Sequence, residues 1–169
     1  MLFAKRISAE IAKRTYRRFE EEELITPERI LDAGWDRLVQ VLDSGGYVRY
    51  DFSTATNLLR IMEELKEKYG DLEELHRESA NPEDLERRLR SFKSVGPVGV
   101  NIFLRELRGI WDKAKPQPSR IAVHVGQRLG LEELKPYESA LVRLNLEYCK
   151  KSRCEKCPTR NSCKERLTP

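Results

Sequence analysis

Apolar positions along this chain recur with the three-and-four spacing of amphipathic helices, and no convincing period-two alternation marks a strand. Phe3, Ile7, Ile11, Thr15 and Phe19 follow one another every four residues. That pattern predicts a helix over 3–22 with one buried stripe and the acidic run Glu20–Glu23 at its solvated end. Thr26-Pro27 supplies an N-cap and a proline at the first helical position, opening a short helix that Gly34 stops. Trp35 to Asp43 predicts a third helix, with Trp35, Leu38, Val39 and Leu42 inward and Gly45-Gly46 at its end.

Between that helix and the next lies Tyr47-Val48-Arg49-Tyr50-Asp51-Phe52, where aromatics interleave with an arginine. Tyr47 and Phe52 are expected to plug the core. Arg49 and Tyr50 suit phosphate contact and base stacking better. Ser53 to Tyr69 predicts a long helix with Leu58, Leu59, Ile61, Met62 and Leu65 buried, closed by Gly70. Asn81-Pro82 caps a helix running through Leu85, Leu89 and Phe92. After a tight turn, Gly99 to Trp111 predicts its partner, with Ile102, Phe103, Leu107, Ile110 and Trp111 apolar. Pro116 and Pro118 break the chain, Ser119 caps a helix ending at Gly130, and a last helix runs from about Pro136 to Cys149. The expectation is an all-α chain of about nine or ten helices, in two parts: 1–115, holding the helical pair at 85–111, and 116–169.

The turn at Lys93-Ser94-Val95-Gly96-Pro97-Val98-Gly99 has its own chemistry. Gly96 and Gly99 bracket Pro97, giving two residues free to take positive φ beside one that cannot donate a hydrogen bond. Amides near Gly96, Val98 and Gly99 would then point outward at a helix start, which suits a phosphate oxygen. A plain helix–helix corner accounts for the same spacing.

Composition narrows the class. Charged residues are 36% of the chain and hydrophobic ones 39%, values of a soluble, highly charged protein. No apolar run reaches membrane-spanning length, and MLFAKRISAEIAKR has no uncharged stretch typical of an export signal. The net charge of +4 is uneven: the 21 residues from Cys149 onward hold seven Lys/Arg and two Glu, a net +5, against −1 for the rest. A basic segment held in shape can present a fixed positive patch to a polyanion.

That segment contains every cysteine of the chain, as Cys149-x4-Cys154-x2-Cys157-x5-Cys163. In a reducing compartment, four thiolates so close in sequence are metal ligands rather than disulfides. Spacing alone leaves zinc or a 4Fe–4S cluster.

Two motifs carry a resemblance that covers nearly the whole chain. Val95-Gly96-Pro97-Val98-Gly99-Val100-Asn101 resembles the hairpin of the endonuclease III superfamily of DNA glycosylases, which reads roughly GVG-x-x-x-x-N. The tail is similar to the iron–sulfur loop of the same family, Cys-x6-Cys-x2-Cys-x5-Cys after a helix, with the first spacer here two residues shorter. The resemblance implies a two-lobed helix-hairpin-helix glycosylase fold and a 4Fe–4S cluster on Cys149, Cys154, Cys157 and Cys163, with zinc as the alternative. It implies a base-excision-repair-type protein, monomeric and nucleoid-associated in the cytoplasm, that binds damaged or mismatched double-stranded DNA in a groove between the lobes. Lys93, Val95, Gly96, Val98 and Gly99 of the hairpin would contact DNA, as would Arg49 and Tyr50. In the tail, Lys150, Lys151, Arg153, Lys156 and Arg160 would do so. Lys5 falls near the family's duplex-probing position. Relatives carry a further N-terminal segment, so the chain reads as a short form or as lacking an upstream piece.

The family's two catalytic side chains are absent. Val98 occupies the place of the lysine that attacks the sugar, which closes the lyase route. The family's aspartate opens a helix reading VDTHV…RLGL; here Arg128-Leu129-Gly130-Leu131 aligns Ser119 with it, and the alternative register through His124-Val125 aligns Ala122. Three readings stay open. One is a monofunctional glycosylase with a relocated acid, Asp51, whose simpler role is to cap the next helix; Glu106 and Asp112 are weaker candidates. Another is a non-enzymatic binder of damaged or distorted DNA. The last is a residue substituted to trap DNA.

Overall fold

Serine at position 8 sets the first departure from the expected pattern. In the computed structural model, which describes residues 2–164, the Ser8 hydroxyl accepts the Ile11 N–H and helix α1 starts only at Ala9, running Ala9–Glu21. Leu2–Ala4 forms a separate 3-10 turn. The expected helix over 3–22 is therefore broken. Phe3 falls out of phase and is exposed, while Ala12, Thr15 and Phe19 form the buried stripe. Met1 and residues 165–169, the last part of the expected cluster domain, lie outside the described residues.

Helix α2 (Pro27–Ser44) has Thr26 as N-cap and Pro27 at its start, and Gly34 (φ 70°, ψ 177°) kinks it into the two pieces expected from the sequence. Helix α3 (Asp51–Lys68) packs extensively against it and ends at Tyr69, followed by left-handed Gly70. Leu38, Val41, Leu42, Tyr47 and Ala55 form the core of this pair, and burial pushes the Tyr47 phenol up to about 12. Each fully buried side chain of this size contributes roughly 1.5–3 kcal/mol. α1 crosses at Gly45, where an added Cβ would lie 2.5 Å from the Thr15 Cα.

Two further residues expected inside are not. Phe52 is 59% exposed and Trp35 39%. On α3, Asp51, Thr54 and Ala55 occupy the inward positions; Tyr47 fills the core, so Phe52 faces out. Trp35 sits just past the kink, packs against Phe52 in a tilted pair with ring centroids 5.3 Å apart, and donates through Nε1 to Thr56 Oγ1.

Helix α4 (Leu72–Glu78), missed in the sequence, starts at Asp71, whose carboxylate accepts the Glu74 N–H. Helix α5 (Pro82–Ser91) has the expected Asn81 cap, and Leu85, Leu89 and Phe92 are buried. Its partner α6 spans Pro97–Glu106 rather than Gly99–Trp111, so Ile110 lies beyond it and is exposed while Trp111 returns to the core.

The chain divides after Lys115 into two compact units. In the second, α7 (Arg120–Leu129) is capped by Ser119 and closed by left-handed Gly130. A 3-10 turn at Lys135–Tyr137 leads into α8 (Glu138–Glu147), and three more such turns carry the cysteine tail. Ala122, Val125 and Leu141 form this unit's core. The described residues are all-α, with no strand, and none of their helices is long and apolar enough to cross a membrane.

Candidate nucleic-acid interface and cysteine centre

In the first unit the hairpin is α5, the turn 92–96 and α6. Pro97 takes the first helical position, and the residue before a proline is steered to extended backbone. Gly96 accordingly adopts φ −90°, ψ 171° and acts as N-cap with no side chain to satisfy the amides. The left-handed turn residue is instead Ser94 (φ 70°), whose hydroxyl donates to Asn57 Oδ1 at 2.9 Å. Neither Gly96 nor Gly99 takes positive φ, which corrects the expected role of both. Because the helix starts at Pro97, Gly99 lies within its first turn, where an added Cβ would sit in ordinary contact with the Ala4 Cβ at 3.8 Å.

The amides of Val98 and Gly99 precede the first i→i−4 bond of α6, made by Val100 to Gly96. Val98 is 64% exposed, and Lys93 is exposed beside the turn. The positive end of the helix dipole and these amides together suit an anion.

The aromatic loop is built differently from its neighbour. Arg49 is exposed, with its guanidinium 5.4 Å from the Tyr50 ring centre, and the Lys5 ammonium lies 5.8 Å from the same ring. Tyr50 is thus flanked by two cations. Asp51 is 8% exposed and its Oδ1 accepts the N–H of Phe52 at 2.6 Å. It also faces Asp43 at the end of α2. Burial and the hydrogen-bonded Asp51 carboxyl raise the Asp43 pKa above its ordinary value.

The weaker acid candidates have structural partners. Glu106 accepts from Arg105 Nε. Asp112 lies 2.9 Å from His76 Nε2, and the His76 ring stacks on Trp111 at 4.6 Å. Burial opposes ionisation of Asp112, yet the His76 hydrogen bond and Lys113 hold its pKa below the usual value.

In the second unit, Ser119 is a helix cap. Its hydroxyl accepts the Ala122 N–H, and its own N–H donates to Glu138 Oε1 at 2.7 Å. Glu138 is 1% exposed and carries no signal in the sequence, since only the fold brings it under Ser119.

All four cysteines line one cavity of about 20 Å³, together with Arg128 and Leu129 of α7. None is in a disulfide. Burial pushes the Cys149 thiol up, Arg128 working against it. The Cys157 sulfur is 3.3 Å from the Thr159 hydroxyl. Among the described residues no three His, Cys, Asp or Glu side chains are gathered to hold a single metal ion. Around the cavity, Lys150, Lys151, Arg153, Lys156 and Arg160 are all exposed. The candidate donor set is thiols alone, facing a common space that Arg128 and Arg160 also line, and it suits a thiophilic metal centre. The chain matches no protein-family model, no curated protein and no solved structure.

Proposed function

We propose that this protein binds double-stranded DNA, recognising damaged or distorted duplex in the manner of base-excision-repair proteins, and carries a 4Fe–4S cluster on Cys149, Cys154, Cys157 and Cys163. The observation that carries the DNA reading is the exposed start of α6. There Gly96 leaves the Val98 and Gly99 amides uncapped, next to Lys93. The exposed cations of the cysteine tail supply a second, sequence-independent phosphate-binding surface. The role of the cluster is structural, closing a tail whose short 3-10 turns hold no buried residue. Four thiols lining one cavity suit either a zinc ion or a cluster, and the resemblance of the tail to an iron–sulfur loop is what favours the cluster.

A second reading, a monofunctional DNA glycosylase, has one observation behind it. Asp43 and Asp51 form a hydrogen-bonded carboxyl pair at the foot of the aromatic loop, and the pairing raises the Asp43 pKa, the direction a general acid needs. Against it, Asp51 is buried and already holds the Phe52 amide.

Fluorescence anisotropy with intact, mismatched and base-damaged duplexes tests the binding reading. Salt-sensitive affinity that is higher for damaged or mismatched duplex supports it, and no binding at low salt overturns it. Alkali treatment of the same mixtures tests the glycosylase: strand breaks that vanish in Asp51→Asn support it, and no breaks across the panel remove it. Absorbance near 400 nm with equal iron and sulfide supports the cluster; a colourless protein holding zinc overturns it.

A further inference from the structure

Arg128 is 7% exposed, although arginine is among the residues least often buried. It belongs to the last turn of α7, and its side chain lines the same cavity as the four cysteines. Its carbonyl accepts the N–H of Lys164 at 2.8 Å, which ties the chain just after Cys163 to the end of α7. A guanidinium keeps its charge in any protein environment.

A 4Fe–4S core held by four thiolates is a dianion, and a trianion after one-electron reduction. Placing that charge where solvent is scarce is costly unless a cation lies beside it. The exposed lysines and Arg160 are screened by water and salt. Arg128 is the buried cation lining the cavity.

We propose that Arg128 is the charge-compensating residue of the cysteine centre: it retains the cluster and raises its reduction potential. This rests on the cluster reading above. It adds that α7, besides packing the second unit, supplies the positive charge facing the thiolates. The role is one of positioning and electrostatics, not ligation.

The test uses the full chain, purified anaerobically, as wild type and as Arg128→Met, Arg128→Gln, Arg128→Lys and Leu129→Ala. Iron and sulfide are counted, and the midpoint potential is measured by dithionite titration at 400 nm. Cluster release is followed in the presence of a chelator. Loss of the charge in Met and Gln lowers the potential and speeds release by about tenfold, in line with other outer-shell partners of metal centres. Lys, which keeps the charge, stays close to wild type. Leu129→Ala, which loosens the same cavity without changing charge, leaves the potential in place. An unchanged potential in a folded neutral variant overturns the proposal, as does an equal shift in Leu129→Ala. If both neutral variants fail to fold, Arg128→Lys decides: a potential or release rate far from wild type overturns the charge role, and one near wild type supports it. A wild type containing zinc, or iron without sulfide, overturns the cluster reading itself, a result separate from any difference among the variants.

Discussion

The N–H of Ser119 donates to Oε1 of Glu138 over 2.7 Å, and this carboxyl group is almost wholly removed from solvent. Nineteen residues separate the two. The position that the glycosylase resemblance assigns to an aspartate is thus a helix cap that already has a carboxylate beneath it. Glu138→Ala leaves the part-buried Ser119 amide without its acceptor and should destabilise the second unit by about 1–3 kcal/mol, the cost of losing such a bond. Ser119→Asp replaces one good N-cap by another. Here it sets a second carboxylate beside Glu138, and a lower thermal midpoint is expected. A higher midpoint would mean that the two groups do not meet as described.

Gly99 separates stability from binding. It sits in the first turn of α6, where alanine favours the helix by about 1 kcal/mol, and the nearest obstacle to a Cβ is Ala4 at 3.8 Å. Gly99→Ala should therefore raise the denaturant midpoint while weakening duplex binding severalfold, since a methyl group would keep a phosphate from the amides. Unaltered affinity would remove the hairpin as a phosphate site.

Gly45 has the opposite character. A Cβ there would lie 2.3 Å from Thr15 Oγ1 and 2.5 Å from the Thr15 Cα. Backbone cannot yield as a side-chain tip can, so Gly45→Ala forces α1 and α2 apart. A loss at the upper end of the usual range of about 1–3 kcal/mol for overpacking is expected in urea unfolding.

The carboxyl pair gives a pH dependence. Asp43 stands at the C-terminal end of α2, where the helix dipole disfavours negative charge, and burial together with Asp51 raises its pKa above the ordinary 3.8. The folded state thus holds the Asp43 proton more tightly than the unfolded chain. This contribution is fully present below the unfolded value and is lost as pH rises through the raised one. Asp43→Asn should be more stable than wild type at pH 7, and the advantage should shrink as pH falls through the raised value and be gone below the ordinary 3.8. A difference that is constant with pH would exclude the coupling.

Arg153 is exposed in the tail, and the phosphate contact proposed for it would carry no sequence information. Arg153→Glu should weaken binding to all duplex sequences alike and flatten the salt dependence, as read by anisotropy at several salt concentrations. A loss confined to particular sequences would contradict that role.

What the sequence determined by itself is local. Thr26, Asn81 and Ser119 cap the helices they were expected to cap, and Gly34, Gly70 and Gly130 interrupt or end helices in left-handed conformations. Each depends on hydrogen bonds or backbone freedom within about four residues, so the neighbours in sequence suffice. The same local chemistry is present at Ser8 and Asp71, whose capping side chains the apolar pattern alone does not reveal. Tertiary structure alone decided which apolar side chains are covered. Phe3, Trp35 and Phe52 are as hydrophobic as Tyr47 and Phe19, but only the latter two find a neighbouring helix to fill against. It alone placed Thr15 against Gly45, Glu138 under Ser119 and Arg128 in the cysteine cavity. These are meetings of residues far apart along the chain, fixed by how the helices pack and not by the pattern within any one of them.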